Sequence, residues 1–252
     1  MTFDVAAEAY DQYMGRWSQD LSARFAALAG VQHRHRVLDI GCGPGALTAE
    51  LVRSVGAASV AAIDPSAPFV EAVRARHPGV DVRQATAERI PFDADTFDAT
   101  LAQLVVHFMN DPVAGLAEMA RVTRPGGVVA ACVWDYAGDR GPLGPFWVAA
   151  RELDPTVAGE AHLAGTRDGH LAELLEAAGL REVRPMALSA TRDFEGFDSW
   201  WEPFTRGVGP GGAYLARLHA RDREALRQRC RSKLPGGAFT LTAWAWTARG
   251  VV

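Results

Sequence analysis

Apolar side chains recur at helical spacing near the start of the chain: Val5, Tyr10, Tyr13, Trp17, Leu21, Phe25 and Leu28 predict one or two helices within residues 4–29. The period then changes. Short apolar runs at residues 36–40, 59–63, 80–84, 97–102 and 128–134 read as buried strands, with helical patterns at 46–55, 68–76 and 112–122 between them. Strands alternating with helices of this length predict βαβ units, a parallel sheet and right-handed crossovers. Residues 124–127 (RPGG) read as a tight turn into the fifth strand. Beyond Trp134 the pattern loosens. A Gly/Pro-rich loop at 135–145 leads to helices at 146–153 and 168–178, the second closed by Gly179, a favourable C-terminal cap. Residues 182–193 alternate weakly, whereas Phe239, Leu241, Ala243, Ala245 and Thr247 share one face of a clear strand at 239–249. Between these two strands lies a helical stretch rich in aromatic residues.

Composition narrows the function class. A chain of 252 residues buries a sizeable core. Its 26 basic and 30 acidic residues are dispersed and leave a net charge of −4, which is no footprint for a phosphate-dominated nucleic-acid partner. Cys42, Cys132 and Cys230 are unclustered and form neither a disulfide framework nor a metal or redox pair. His33 and His35 form an H-x-H without a third ligand, so no metal is expected. The mixed, acidic N-terminus differs from a secretory signal, and the apolar run at 128–134 is too short to cross a bilayer. A soluble, cytoplasmic protein without a membrane or nucleic-acid partner is expected, as a monomer or a homodimer.

The strongest chemical signal is Gly41-Cys42-Gly43-Pro44-Gly45, between the first strand and its helix. Glycines there let backbone approach a ligand closely. The loop alone fits NAD as well as S-adenosylmethionine. Three features favour the latter. Asp39, two residues before Gly41, suits an ammonium group better than a pyrophosphate. Pro44 removes a backbone donor from any phosphate cradle. Asp64, ending the second strand, is placed to accept two ribose hydroxyls, with Ser66 beside it. The plainer readings are a cap on the loop amides for Asp39, a turn residue for Asp64, and a small buried side chain for Cys42.

VLDIGCGPGALTAEL, AAIDPS, IPFDADTFDA and RVTRPGG together resemble the class I S-adenosylmethionine-dependent methyltransferases. Within them the chain looks like the type 11 branch that includes ubiquinone and menaquinone biosynthesis enzymes. The resemblance covers residues 30–134, and the N-terminal AEAYDQYMGRWS more loosely. It implies an α/β fold: a Rossmann-like, mostly parallel sheet of seven strands, with helices on both faces and an antiparallel last strand. It also implies that Gly41, Cys42 and Gly43 line the methionine part of the cofactor, with Asp39 orienting the loop. Asp64 would hold the ribose diol, with Pro65 and Ser66 beside adenine. Ala87 would contact adenine through its backbone within the Thr86-Ala87-Glu88 stretch, where Thr86 replaces the family's frequent Asp. Gln103 would meet the amino-acid moiety, and Tyr10, Tyr13 and Arg16 would close over the cofactor. The implied activity is methyl transfer to a small-molecule acceptor at O, C or N, with S-adenosylhomocysteine as product. The alternative is a protein that binds the cofactor in a non-methylating or accessory role.

Methyl transfer from a sulfonium needs alignment and water exclusion, and a base only where the nucleophile carries a proton. His107, after the fourth strand, is the candidate base; a packed or capping histidine is the plain alternative. Trp134, Tyr136, Trp147, Trp200 and Trp201 are candidates for an acceptor pocket, or equally the core of their own segment. The arginine-rich stretch at 214–231 carries interleaved acids and reads as a solvated face. The expected organisation is a helical lid at 1–30, a core at 31–194 and 238–252, and a helical cap at 195–237 over the acceptor.

Overall fold

The structure, a computed structural model, describes residues 14–207 and 209–252. Seven strands form one sheet: β1 (Val37–Ile40), β2 (Val60–Asp64), β3 (Asp81–Gln84), β4 (Phe97–Gln103), β5 (Thr123–Trp134), β6 (Arg181–Phe194) and β7 (Phe239–Val251). Their order is β3-β2-β1-β4-β5-β7-β6. The first five are mutually parallel, and β7 runs antiparallel to both its neighbours, β5 and β6. This is the α/β, mostly parallel sheet with an antiparallel last strand that the pattern and the resemblance predict.

Central parallel strands are covered on both faces, so their side chains alternate between two cores instead of between core and water. β5 shows it residue by residue. Ala130, Cys132 and Trp134 join one cluster, with Leu21 and Phe25 of α1 (Arg16–Leu28), Leu47 and Leu51 of α2 (Ala46–Val55) and Phe146 of α5 (Gly144–Leu153). Val129, Ala131 and Val133 join the other, with Leu116 and Met119 of α4 (Pro112–Val122) and Leu171 and Leu175 of α6 (His170–Ala177). Helix α3 (Ala67–Arg76) packs Val70 and Val73 against Ala62 and Val82 in a third cluster.

The RPGG turn appears inside β5. Phe97 pairs with Thr123, residues 124–127 loop out with Gly126 at φ +76°, and the ladder resumes at Ala99 and Val128. β7 alternates as expected: Phe239, Ala243, Ala245 and Thr247 are buried, Leu241 is half-buried, and Thr240, Thr242 and Trp244 are exposed. β6 is longer and more regular than its weak pattern, because after an irregularity between Arg181 and Arg184 it pairs continuously with β7 up to Phe194–Phe239. Between β6 and β7 lie α7 (Phe197–Thr205), α8 (Gly209–Arg217) and α9 (Ala220–Arg231), with α9 packed on α5 and α7 on β6. Among the described residues no helix is long and apolar enough to cross a membrane.

Strand order runs outward from β1 through β2 to β3, then jumps to β4 on the other side of β1. At such a switch point the loops leaving the two central strands diverge and open a crevice at the carboxyl ends. Here those loops are 41–45 and 104–108.

Candidate active site

The loop after β1 turns by three left-handed glycines, Gly41 (φ +63°), Gly43 (+52°) and Gly45 (+102°), and Gly45 caps α2. At Gly41 a Cβ would lie 2.5 Å from Val105 Cγ2, so the loop passes against the segment after β4 as only glycine allows. Two neighbours hold the loop: Cys42 N–H donates to Ile63 O (3.0 Å) and Gly43 N–H to Asp64 Oδ2 (2.9 Å). The other oxygen of Asp64, Oδ1, accepts from Ser66 N–H at 2.8 Å. The carboxyl that orders this loop is therefore Asp64. Asp39 accepts instead from Thr48 Oγ1 on α2, at 2.6 Å.

These groups line one open cleft at the carboxyl ends of β1, β2 and β4. Burial pushes the Asp39 carboxyl up to about 7, the Thr48 hydrogen bond opposing it and the neighbouring Asp64 adding to it. Burial likewise raises Asp64, against the Ser66 and Gly43 N–H bonds. Both are desolvated carboxyls in want of positive charge, and none of the described residues lining the cleft is basic.

Gln103, at the end of β4, adds an unpaired acceptor. Its Nε2 donates to Ser18 O (3.1 Å) and Ser22 Oγ (2.9 Å), while Oε1 is buried with no partner among the described residues. The amide orientation follows from the network: Ser22 already donates to Ser18 O (2.6 Å), so its oxygen can only accept from Gln103. The cleft thus presents two carboxyls and an orphaned amide oxygen to its ligand. That set suits a cation with hydroxyl groups and offers nothing to a pyrophosphate.

A second, much smaller hollow adjoins the cleft and shares Leu104 and Phe108 with it. Leu104 has φ +62°, a strained value for a branched residue, which turns the chain sharply out of β4 and lays 105–108 across the boundary. Trp134, Tyr136, His107 and Glu160 line this hollow.

Residues 38–131 match the model of the methyltransferase domain family of type 11. These residues form a type 11 methyltransferase domain. Malonyl-[acyl-carrier protein] O-methyltransferase of Salmonella typhimurium is 38% identical over 128 residues, which cover 51% of this chain and 50% of that protein. The chain spans about half the length of the curated relatives it matches. Two solved structures share the fold. The YcgJ protein of Bacillus subtilis has a TM-score of 0.58 at 20% identity, covering 93% of this chain and 97% of its own. A Haemonchus contortus phosphoethanolamine N-methyltransferase, solved with phosphomonomethylethanolamine and S-adenosylhomocysteine, has a TM-score of 0.58 at 17% identity, covering 97% of this chain and 56% of its own.

Within the methyltransferase domain the expected residues divide. Asp39, Gly41, Cys42, Gly43, Asp64, Pro65 and Gln103 all line the cleft, while Ser66 contributes its backbone N–H to Asp64. Thr86, Ala87 and Glu88 do not line it. Ala87 is buried against Gly115, and Glu88 accepts from the Asn110 N–H at 2.8 Å, so that turn braces the entry to α4. Phe69 on α3 and Ser18 on α1 line the cleft without having been expected there; their helical patterns show which face is buried, not that its edge meets a ligand. Tyr10 and Tyr13 lie outside the described residues, as does the side chain of Arg16.

Of the residues expected at an acceptor pocket, Trp134 and Tyr136 line the hollow, but Trp147, Trp200 and Trp201 do not. Trp201 and Phe204 pack around Phe146, the latter stacked at 4.6 Å, so the aromatic stretch spends its rings on its own core. Trp147 turns its indole N–H onto Glu160 Oε2 at 2.9 Å. His107 is buried on a single 3₁₀ turn, its ring tilted at 41° against Phe108 with centroids 3.8 Å apart, and its Nδ1 has no partner among the described residues. Burial pulls its imidazole down to about 3, which leaves it neutral and a weak proton acceptor, contrary to the base role its position invites.

Proposed function

We propose that the chain is an S-adenosylmethionine-dependent methyltransferase acting on a small-molecule acceptor at O, C or N, in the cytoplasm. The observation that carries this reading is the cleft: two desolvated carboxyls and an orphaned amide oxygen around a glycine loop, with no basic residue among its described lining. Asp39 and Gln103 Oε1 take the ligand's ammonium, and Asp64 takes the ribose diol with the acceptor capacity its two N–H bonds leave free. Pro65 and Phe69 flank adenine. When bound, S-adenosylmethionine supplies an activated methyl on a sulfonium. The chain's own residues orient the two partners and exclude water. Alignment of this kind is worth as much as about 7–11 kcal/mol of a barrier. Residues 1–30 close over the cofactor, and 195–237 cap the acceptor.

Side-by-side calorimetric titrations with S-adenosylmethionine, S-adenosylhomocysteine and NAD test this. The first two bind and NAD does not. Binding of NAD alone, or of none of the three, overturns it.

A further inference from the structure

The glycine loop is a thin wall. Pro44 and Ala46 line the cleft on one side and, on the other, a groove in the outer surface bounded by α2 and by Arg76 and His77. Behind Pro44 there is open groove instead of packed core, and a wall without packing behind it keeps its shape through its hydrogen bonds.

The next strand-helix unit, β2 with α3, grips three successive residues of this loop. Asp64 Oδ2 accepts from Gly43 N–H at 2.9 Å. Arg76 Nη1, at the end of α3, donates to Pro44 O at 2.8 Å, across 32 residues of chain. A Cβ on Gly45 would lie 3.2 Å from Val73 Cγ2 and 3.6 Å from His77 Nε2, so α3 also rests against the last glycine. A ligand affects these grips differently. Asp64 lines the cleft, where a ligand hydroxyl competes for the same carboxyl. Arg76 is exposed and reaches Pro44 from the outer groove, away from that competition.

We propose that Arg76 is a positioning residue for the cofactor site: by holding the Pro44 carbonyl outward it fixes the 43–45 turn in the shape that receives the ligand's amino-acid arm. The proposal rests on the methyltransferase reading and adds to it a residue outside the cleft. The planar peptide between Pro44 and Gly45 is pinned at both ends, its oxygen by Arg76 and its N–H by Cys42 O at 3.0 Å. Gly43 and Gly45 flank Pro44 with no Cβ to restrict them, so the chain itself does little to stop that plane from turning. A plane free to turn presents the ligand with a mixture of loop shapes, and binding then carries the cost of ordering them. A guanidinium suits the task, because its donors point in fixed directions from a planar fork.

The experiment compares the wild-type chain with Arg76→Met, which keeps the aliphatic stem and loses the donors, and with Arg76→Lys, which keeps one donating group. Two ligands are titrated: S-adenosylhomocysteine, and 5′-methylthioadenosine, whose sulfur carries a methyl in place of the amino-acid arm. Arg76→Met binds S-adenosylhomocysteine about 5-fold more weakly, the loss of one net hydrogen bond in an exposed setting. It binds 5′-methylthioadenosine as the wild type does and melts at the same temperature. Arg76→Lys recovers most of the lost affinity. In the ligand-free chain Arg76→Met also speeds amide hydrogen exchange across 43–46. Unchanged S-adenosylhomocysteine affinity in Arg76→Met, an equal loss for both ligands, or unchanged exchange overturns the proposal. Should Arg76→Met not fold, Arg76→Gln replaces it and is held to the same outcomes. Absence of S-adenosylhomocysteine binding to the wild-type chain overturns the methyltransferase reading and this proposal with it; binding that the loss of Arg76 leaves intact overturns this proposal alone.

Discussion

Asp39 makes cofactor binding depend on pH in a calculable way. Its side chain is 1% exposed, and burial puts its carboxyl at about 7 in the ligand-free cleft. A ligand ammonium binds the carboxylate and not the acid, so the bound state lowers this pKa and releases a proton. Affinity therefore rises with pH through about 7 and flattens above it. With a midpoint at 7, the ionised fraction goes from about one tenth at pH 6 to about nine tenths at pH 8, a ~10-fold gain in affinity. The assay is calorimetry with S-adenosylhomocysteine at pH 6, 7 and 8 and constant ionic strength, in two buffers of different ionisation enthalpy. Below pH 7 the buffers disagree by the heat of nearly one proton. Asp39→Asn binds more weakly and shows neither slope nor proton release. Asp64→Asn binds more weakly but keeps the slope. Equal wild-type affinity at all three pH values, with no buffer-dependent heat, refutes the assignment of the ammonium to Asp39.

Three other substitutions probe the same cleft. Thr48→Val removes the hydroxyl that stabilises the Asp39 carboxylate, and moves the midpoint of that pH profile up by about 1 unit; an unmoved midpoint contradicts the Thr48 bond. Gly41→Ala places a Cβ in the left-handed region and against Val105, and lowers unfolding stability by about 2–5 kcal/mol in denaturant titrations. Val105→Ala in the same chain restores the steric part and not the backbone part. Asp64→Ala strands the Gly43 and Ser66 N–H groups as well as the ribose site, and weakens S-adenosylhomocysteine at least 100-fold; retained affinity sinks the ribose assignment.

What was legible in the sequence follows from what each residue's position depends on. β1, β2, β4 and β5 are buried on both faces, so they stand out as apolar runs, and the three closely spaced glycines of 41–45 mark a loop that turns left-handed three times within five residues. Motif residues on that frame fall in the cleft because two adjacent strand ends put them there. Glu160 carries no such mark. It sits in an irregular segment between α5 and α6, and only tertiary folding under Trp147 makes it a buried acid. The same limit explains the tryptophans. Periodicity shows that Trp134, Trp200 and Trp201 are all interior, but the chamber each faces is set by packing across 60 residues of chain, which no local pattern encodes. Leu104 is hidden for the opposite reason, since its strain contradicts the local propensity that a sequence reading relies on.

The neutrality of His107 takes on a role within the proposed reaction. The proposed methyl donor is a cation, and the 104–108 segment on which His107 sits borders the cleft proposed to hold it. A protonated imidazole there would repel a bound sulfonium, and in a partly desolvated site that repulsion is weakly screened. Burial without a carboxylate partner holds His107 neutral down to about 3 and removes that repulsion at any physiological pH. The same burial acting on acids has the opposite consequence. Asp39 and Glu160 are both raised to about 7, close enough to neutrality for a bound cation nearby to favour ionisation. A single physical factor, desolvation, thus silences the base that would repel the proposed donor and poises the acid that would hold its ammonium.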